Sequence, residues 1–194
     1  MGARLKKQAL ALSVALAIAI ILSYAFASVF VYYPVIVNLS PVSPPIRFQP
    51  GSNAGSEDLG AGNTIDVSIG PDGASLTLTV HPTKQHNYYK DVSRIENTDS
   101  KAYYVTIRVI TAASLPAGSE ARLLIYNDPS GGSLVANVNL LSTGDTSVGA
   151  IPAGEVWRID LYILIPEGLA VSTTSASLQL IYSPSSETPP TVPP

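Results

Sequence analysis

Ile65-Asp66-Val67-Ser68-Ile69, Gly70-Pro71-Asp72-Gly73 and Leu76-Thr77-Leu78-Thr79-Val80 decide the fold class. In the outer two runs apolar and polar residues alternate with period two, which puts every second side chain on one face of a strand. The Pro-Asp-Gly stretch between them supplies turn chemistry, so the two runs read as a β-hairpin. The same pattern repeats downstream in Val92–Glu96, Tyr103–Thr111, Ala121–Tyr126, Leu134–Leu141, Val156–Ile165 and Ser175–Tyr182. Turn signals separate these runs at Asn97–Ser100, Pro116–Gly118, Asn127–Gly132, Pro152–Gly154 and Pro166–Gly168. Eight short strands with regular turns predict an all-β fold, an antiparallel β-sandwich over residues 64–182. Within Val156–Ile165, Trp157, Ile159, Leu161 and Ile163 are expected in the core, with Arg158, Asp160 and Tyr162 facing out.

Upstream of the sandwich the chain changes character. Residues 1–7 carry Arg4, Lys6 and Lys7. An uncharged apolar stretch follows from Ala9 and ends in Ala25-Phe26-Ala27. That order is the pattern of a secretory signal peptide, residues 1–27, with cleavage after Ala27 and an extracellular or cell-surface destination. Two rival readings exist: a retained membrane anchor, because apolar residues continue to Val37, and a type IV pilin-like assembly helix processed near Lys7 and Gln8. Cleavage is favoured by the small residues at the site and by a switch just after it. Ala and Leu give way to Val, Tyr and Ile, which prefer strands, and Pro34 opposes a continuing helix.

Residues 28–40 then read as a lone strand with Val29, Val31, Tyr33, Val35, Val37 and Leu39 on one face. The Pro/Gly/Ser-rich stretch 41–63 reads as a linker between this strand and the sandwich. The strand has two readings: it folds back on its own sandwich, or it fills a groove in a neighbouring copy. Pro34 offers no N–H, so a break in the ladder is expected there. Asn38-Leu39-Ser40 is an N-glycosylation sequon in an exported chain. Residues 183–194, rich in Ser, Thr and Pro, are expected to be an extended, solvated spacer.

Composition narrows the chemistry. Cysteine is absent, which excludes disulfides and thiol chemistry. Three of the eleven basic residues lie in the leader, leaving eight against fourteen acidic ones, a balance of −6. Such a surface does not suit nucleic acid, and membrane contact is expected only through the leader. His81 and His86, with Asp91, are the nearest approach to a metal-ligand set, but nothing completes it, and solvated loop histidines are expected. Asp72, Asp128 and Asp145 fall in turns without the carboxylate spacing of a calcium loop. There is no G-x-S-x-G elbow, no phosphate-cradling glycine loop and no H-E-x-x-H. The chain is expected to need no cofactor and not to be an enzyme. Three Tyr-Tyr doublets, at 32–33, 88–89 and 103–104, are each expected to send one ring inward and one outward when in a strand.

Two stretches carry a resemblance: Asn87-Tyr88-Tyr89-Lys90-Asp91-Val92, running on through Arg94-Ile95-Glu96-Asn97 to Tyr103-Tyr104-Val105, and Gly154-Glu155-Val156-Trp157-Arg158-Ile159-Asp160-Leu161-Tyr162. Both resemble the TasA/camelysin-like family of exported β-sandwich proteins, and more closely its archaeal members, the bundling pilins. The resemblance implies a jelly-roll-like sandwich and polymerisation by donor-strand complementation. The partners would be other copies of the chain, and neighbouring filaments in cell-bundling pili or biofilm matrix. A membrane-anchored monomeric surface domain that binds a ligand is the alternative.

Overall fold

The computed structural model describes residues 2–25 and 30–191 of the 194. The chain divides into two units, residues 1–41 and 42–194. In the first, helix α1 covers Gly2–Ala25. Leu10, Leu12, Val14, Leu16, Ile18 and Ile20 lie on several sides of it, and all are exposed. The cleavage point after Ala27 and the strand residue Val29 lie outside the described residues. Residues 30–44 form no strand, although alternation predicts one over the part of 28–40 that is described.

The second unit is all-β and antiparallel. Its ten strands are β1 (Ile46–Pro50), β2 (Asp66–Ile69), β3 (Leu76–Thr79), β4 (Gln85–Asn97), β5 (Tyr103–Thr111), β6 (Glu120–Tyr126), β7 (Leu134–Asn139), β8 (Gly144–Ile151), β9 (Val156–Ile165) and β10 (Ser177–Ser183). They form a five-stranded sheet ordered β1-β4-β9-β6-β7, a three-stranded sheet ordered β10-β5-β8, and the β2–β3 hairpin. The hairpin has the expected register, Ile69 opposite Leu76 across the turn. Both larger sheets feed one hydrophobic cluster. Ile95, Ile125, Ile159 and Trp157 come from the first, and Val105, Ile107, Val109 and Val148 from the second. That arrangement is consistent with a β-sandwich.

Four differences from the sequence expectations have physical causes. Stretch 41–63, read as linker, contains β1 and an ordered loop. Ile46 is buried, β1 pairs with β4 with Phe48 opposite Ile95, and Glu57 bridges Thr64. Gly51 is needed where β1 passes into that loop, because a Cβ there would stand 1.9 Å from the Asp91 carbonyl oxygen. β8 was also unforeseen, since Gly144 and Gly149, both at positive φ, interrupt its apolar alternation. β4 begins at Gln85 rather than Val92, so His86 and the Tyr88-Tyr89 doublet are strand residues. Lastly, the tail is tied down as far as Pro190: the Arg108 guanidinium donates to the Pro190 carbonyl at 3.0 Å and to that of Pro189 at 3.3 Å.

Candidate functional site: an uncovered segment, an open edge and a buried charge network

The two stretches that carry the resemblance meet across the β4–β9 ladder. Its register places Arg94 opposite Arg158 and breaks between Tyr89 and Ser93. Asp91 sits in that break with φ +46°, a bulge that re-aims its backbone. The Asp91 N–H donates to Asp160 Oδ1 at 2.6 Å, and the Tyr88 hydroxyl donates to Asp160 Oδ2 at 2.6 Å. Arg158 completes the group, with Nη2 3.1 Å from Asp160 Oδ2 and its guanidinium stacked 4.5 Å from the Tyr126 ring. Asp160 is 0% exposed. Arg158 and Asp160 therefore lie on the face opposite Trp157 and Ile159, as alternation requires, yet they are buried. The expectation that they face water fails because Pro129 and Tyr126 from elsewhere in the chain close over Arg158.

Asp91 itself is held by Arg94, with contacts of 2.9 and 2.6 Å, and by the Ser52 N–H at 3.1 Å. Burial pushes its carboxyl upward, but the hydrogen bonds from Arg94 and Ser52 outweigh this and hold it at about 2. Tyr88 is half exposed, but desolvation of its hydroxyl against buried Asp160, then the bond to that carboxylate, drives the hydroxyl well above its ordinary range. Asn97 closes the far end of β4, its side-chain amide donating to the carbonyls of Lys101, Ile151 and Pro152 at 2.8, 2.9 and 3.0 Å. These contacts fix a bulge, bury charge in pairs and tie one strand end.

The weak metal candidate does not assemble. His81 Nδ1 is 3.2 Å from Asp58 Oδ2, and its backbone N–H donates to the same oxygen at 2.6 Å. The Asp58 side chain is 2% exposed. His86 Nδ1 bonds the Tyr162 hydroxyl at 2.7 Å, and Asp91 is engaged by Arg94. No group of three metal-ligating side chains occurs among the described residues. Sequence reasoning missed Asp58 because it lies in the stretch read as linker. Asp128 is a turn former, accepting from the Ser130 N–H at 2.6 Å, whereas Asp145 pairs with Arg108 at 2.6 Å. An open cleft of about 450 Å³ beside β2 is lined by Gly55, Ile65, Val67, Thr77 and Thr79. Asp66 is its one ionisable lining residue.

What remains is surface. Val31, Tyr33, Val35, Val37 and Leu39 are all exposed, Val35 at 80% and Leu39 at 85%, and Phe30, Tyr32 and Ile36 are equally bare. Asn38 is exposed as well. Within the strands, the tyrosine doublets split as expected: Tyr89 and Tyr103 are buried, Tyr88 and Tyr104 exposed. On β10, Leu178, Leu180 and Tyr182 stand opposite Val109, Ile107 and Val105, on the core side of their sheet. Those β5 partners are buried, yet Leu178 and Tyr182 are each 37% exposed. Tyr182 leans edge-on against Tyr103, ring centroids 5.6 Å apart. No family model matches the sequence, and no curated protein matches it either.

Proposed function

We propose that this chain is an exported structural subunit that polymerises into an extracellular filament. Residues 28–39 of one copy are buried in the sandwich of the next. The carrying observation is the exposure of every described apolar side chain in this segment, in a chain whose β-body otherwise buries a full core. Val, Tyr and Leu side chains left in water forgo about 1.5–3 kcal/mol each relative to burial, and strand addition to a neighbour recovers it. Strands β4, β6 and β9 lie in one sheet and β5, β8 and β10 in the other. That alternation supports a jelly-roll-like sandwich. The leader directs export and is removed after Ala27, the filaments bundle laterally, and Asn38 is a glycan acceptor. No catalytic role is proposed.

Electron microscopy of the mature protein tests this. Full-length mature chain is expected as fibres, and a variant lacking residues 28–39 as folded single particles. Fibres from the deleted variant, or a native protein found only as single particles, would sink the reading. A second reading rests on the exposed apolar residues of α1 beyond Gln8: a retained anchor holding a monomeric binding domain, although no helix among the described residues is long and apolar enough to cross a membrane. It predicts native protein that sediments with membranes as a monomer and keeps its leader.

A further inference from the structure

We propose that the open edge of β10 is the acceptor, and that it takes residues 30–39 of a second copy in one phase only. Val31, Tyr33, Val35, Val37 and Leu39 turn to the core, while Tyr32, Pro34, Ile36 and Asn38 turn to solvent. The assignment rests on the strand-exchange reading above and deepens it.

The two larger sheets have four edges, β1, β7, β8 and β10. The first is occupied, since the Phe48 N–H donates to the Gly73 carbonyl of the β2–β3 turn at 2.8 Å. It also ends in Pro50 and carries Arg47, two devices that blunt an edge. At β8 the ladder to β5 shifts register near Gly149, and Asp145 lies at the edge. Asn137 and Asn139 of β7 are exposed. By contrast, β10 reads Ser177-Leu178-Gln179-Leu180-Ile181-Tyr182-Ser183, with no proline, glycine or charge. A strand of that kind with one unpaired side is a template for pairing.

Its core-side residues show that cover is incomplete. One strand further in, Val105, Ile107 and Val109 are dry. At β10 the same face is only partly covered: Leu180 packs against the core cluster while Leu178 and Tyr182 are each 37% exposed, so apolar cover thins between the two strands. The occupant must be uncharged, apolar on alternate residues and at least seven residues long. Residues 30–39 meet each condition, with no ionisable side chain other than tyrosine.

Pro34 selects the phase. Along a strand the side-chain direction and the direction of each residue's N–H and C=O alternate together. A residue without an N–H fits where its backbone faces away from the ladder. Even-numbered residues therefore face away from β10, and the odd-numbered ones bond to it. The odd set is wholly apolar, so it faces the core, and Asn38 stays outside within reach of a glycan. Exchange between copies follows from Pro41, Pro44 and Pro45, which lie between the segment and β1. Such a spacer is semi-rigid, about 3.1 Å per residue, and disfavours a tight turn back onto the same body.

The cysteine-free sequence makes this directly testable in the full mature chain. Val35→Cys chains are co-assembled with chains carrying Leu178→Cys, Leu180→Cys or Tyr182→Cys, and oxidised. Disulfide-linked dimers are expected from at least one pairing, at least tenfold above those from Leu134→Cys on β7 or Arg47→Cys on β1. Replacing Val35→Cys by Ile36→Cys should lose them. Fibres whose dimers form at β1 or β7 instead would overturn the β10 assignment but leave strand exchange standing, and dimers with Ile36→Cys would overturn the phase. If the unmodified chain gives no fibres and no pairing cross-links, the underlying reading fails. Hydrogen exchange on unmodified fibres is an independent check against misfolded variants. Amides of 177–183 should slow at least tenfold on assembly, and unchanged exchange there would exclude this edge.

Discussion

Two apolar runs of equal length, Phe30–Leu39 and Val156–Ile165, meet opposite fates. The second, β9, has β4 on one side and β6 on the other, and Trp157, Ile159, Leu161 and Ile163 are buried in the core. The first is exposed along its whole described length. Hydrophobicity does not separate them. Neighbours do: β9 pairs antiparallel with strands on both sides, while the first run has a proline inside it and three more within the six residues that follow. Burial is a property of the pair, not of the segment.

Disrupting β9 is expected to give the largest effect. Asp160→Ala leaves Arg158 buried without its carboxylate and frees the Asp91 N–H and the Tyr88 hydroxyl. A loss of about 3–5 kcal/mol in body stability, read by urea unfolding, is expected. A loss under 1 kcal/mol would mean that water reaches Arg158 and the two regions differ less than described. Next comes Gly51→Ala, whose Cβ would collide with the Asp91 carbonyl and should cost about 1–3 kcal/mol. Unchanged stability would show that β1 joins the sheet less firmly than its register implies.

Acid sharpens the comparison further. The Asp91 carboxyl is held at about 2, below its ordinary 3.8. Its contribution is complete above the unfolded value and disappears as pH falls from about 4 through 2. The body should lose about 2 kcal/mol over that window, and Asp91→Asn should flatten the profile. The smallest effect belongs to the other run. Val35→Ala should change unfolding of the dissociated subunit by less than about 0.5 kcal/mol while lowering the dissociation temperature of fibres. A body destabilised by more than 1 kcal/mol would place Val35 in its own core and break the contrast.

Legibility in the sequence followed apolar alternation. The limits of β5 and β9 were readable to the residue because their inward positions are uninterrupted by glycine. β8 was not, since Val148 and Ile151 are its only buried positions and glycines surround them. The sequence placed Arg158 and Asp160 on the correct side of β9 but not in the correct environment. That environment is built by Tyr88, Asp91, Tyr126 and Pro129, which lie between 29 and 72 residues away along the chain. Asp58, buried against His81 from a stretch that reads as linker, was invisible for the same reason.

By itself, then, the sequence determined the β class, most strand limits, the hairpin and the presence of an apolar run ahead of the body. Each depends on neighbours within a few residues, where period and turn chemistry act. Only the tertiary structure decided that β1 closes one edge, that two charged side chains are buried in β9, and that Leu178 and Tyr182 of β10 stay partly exposed while their β5 partners are buried. Those depend on which distant segments meet, and pairing across a sheet leaves no mark in the periodicity of either strand.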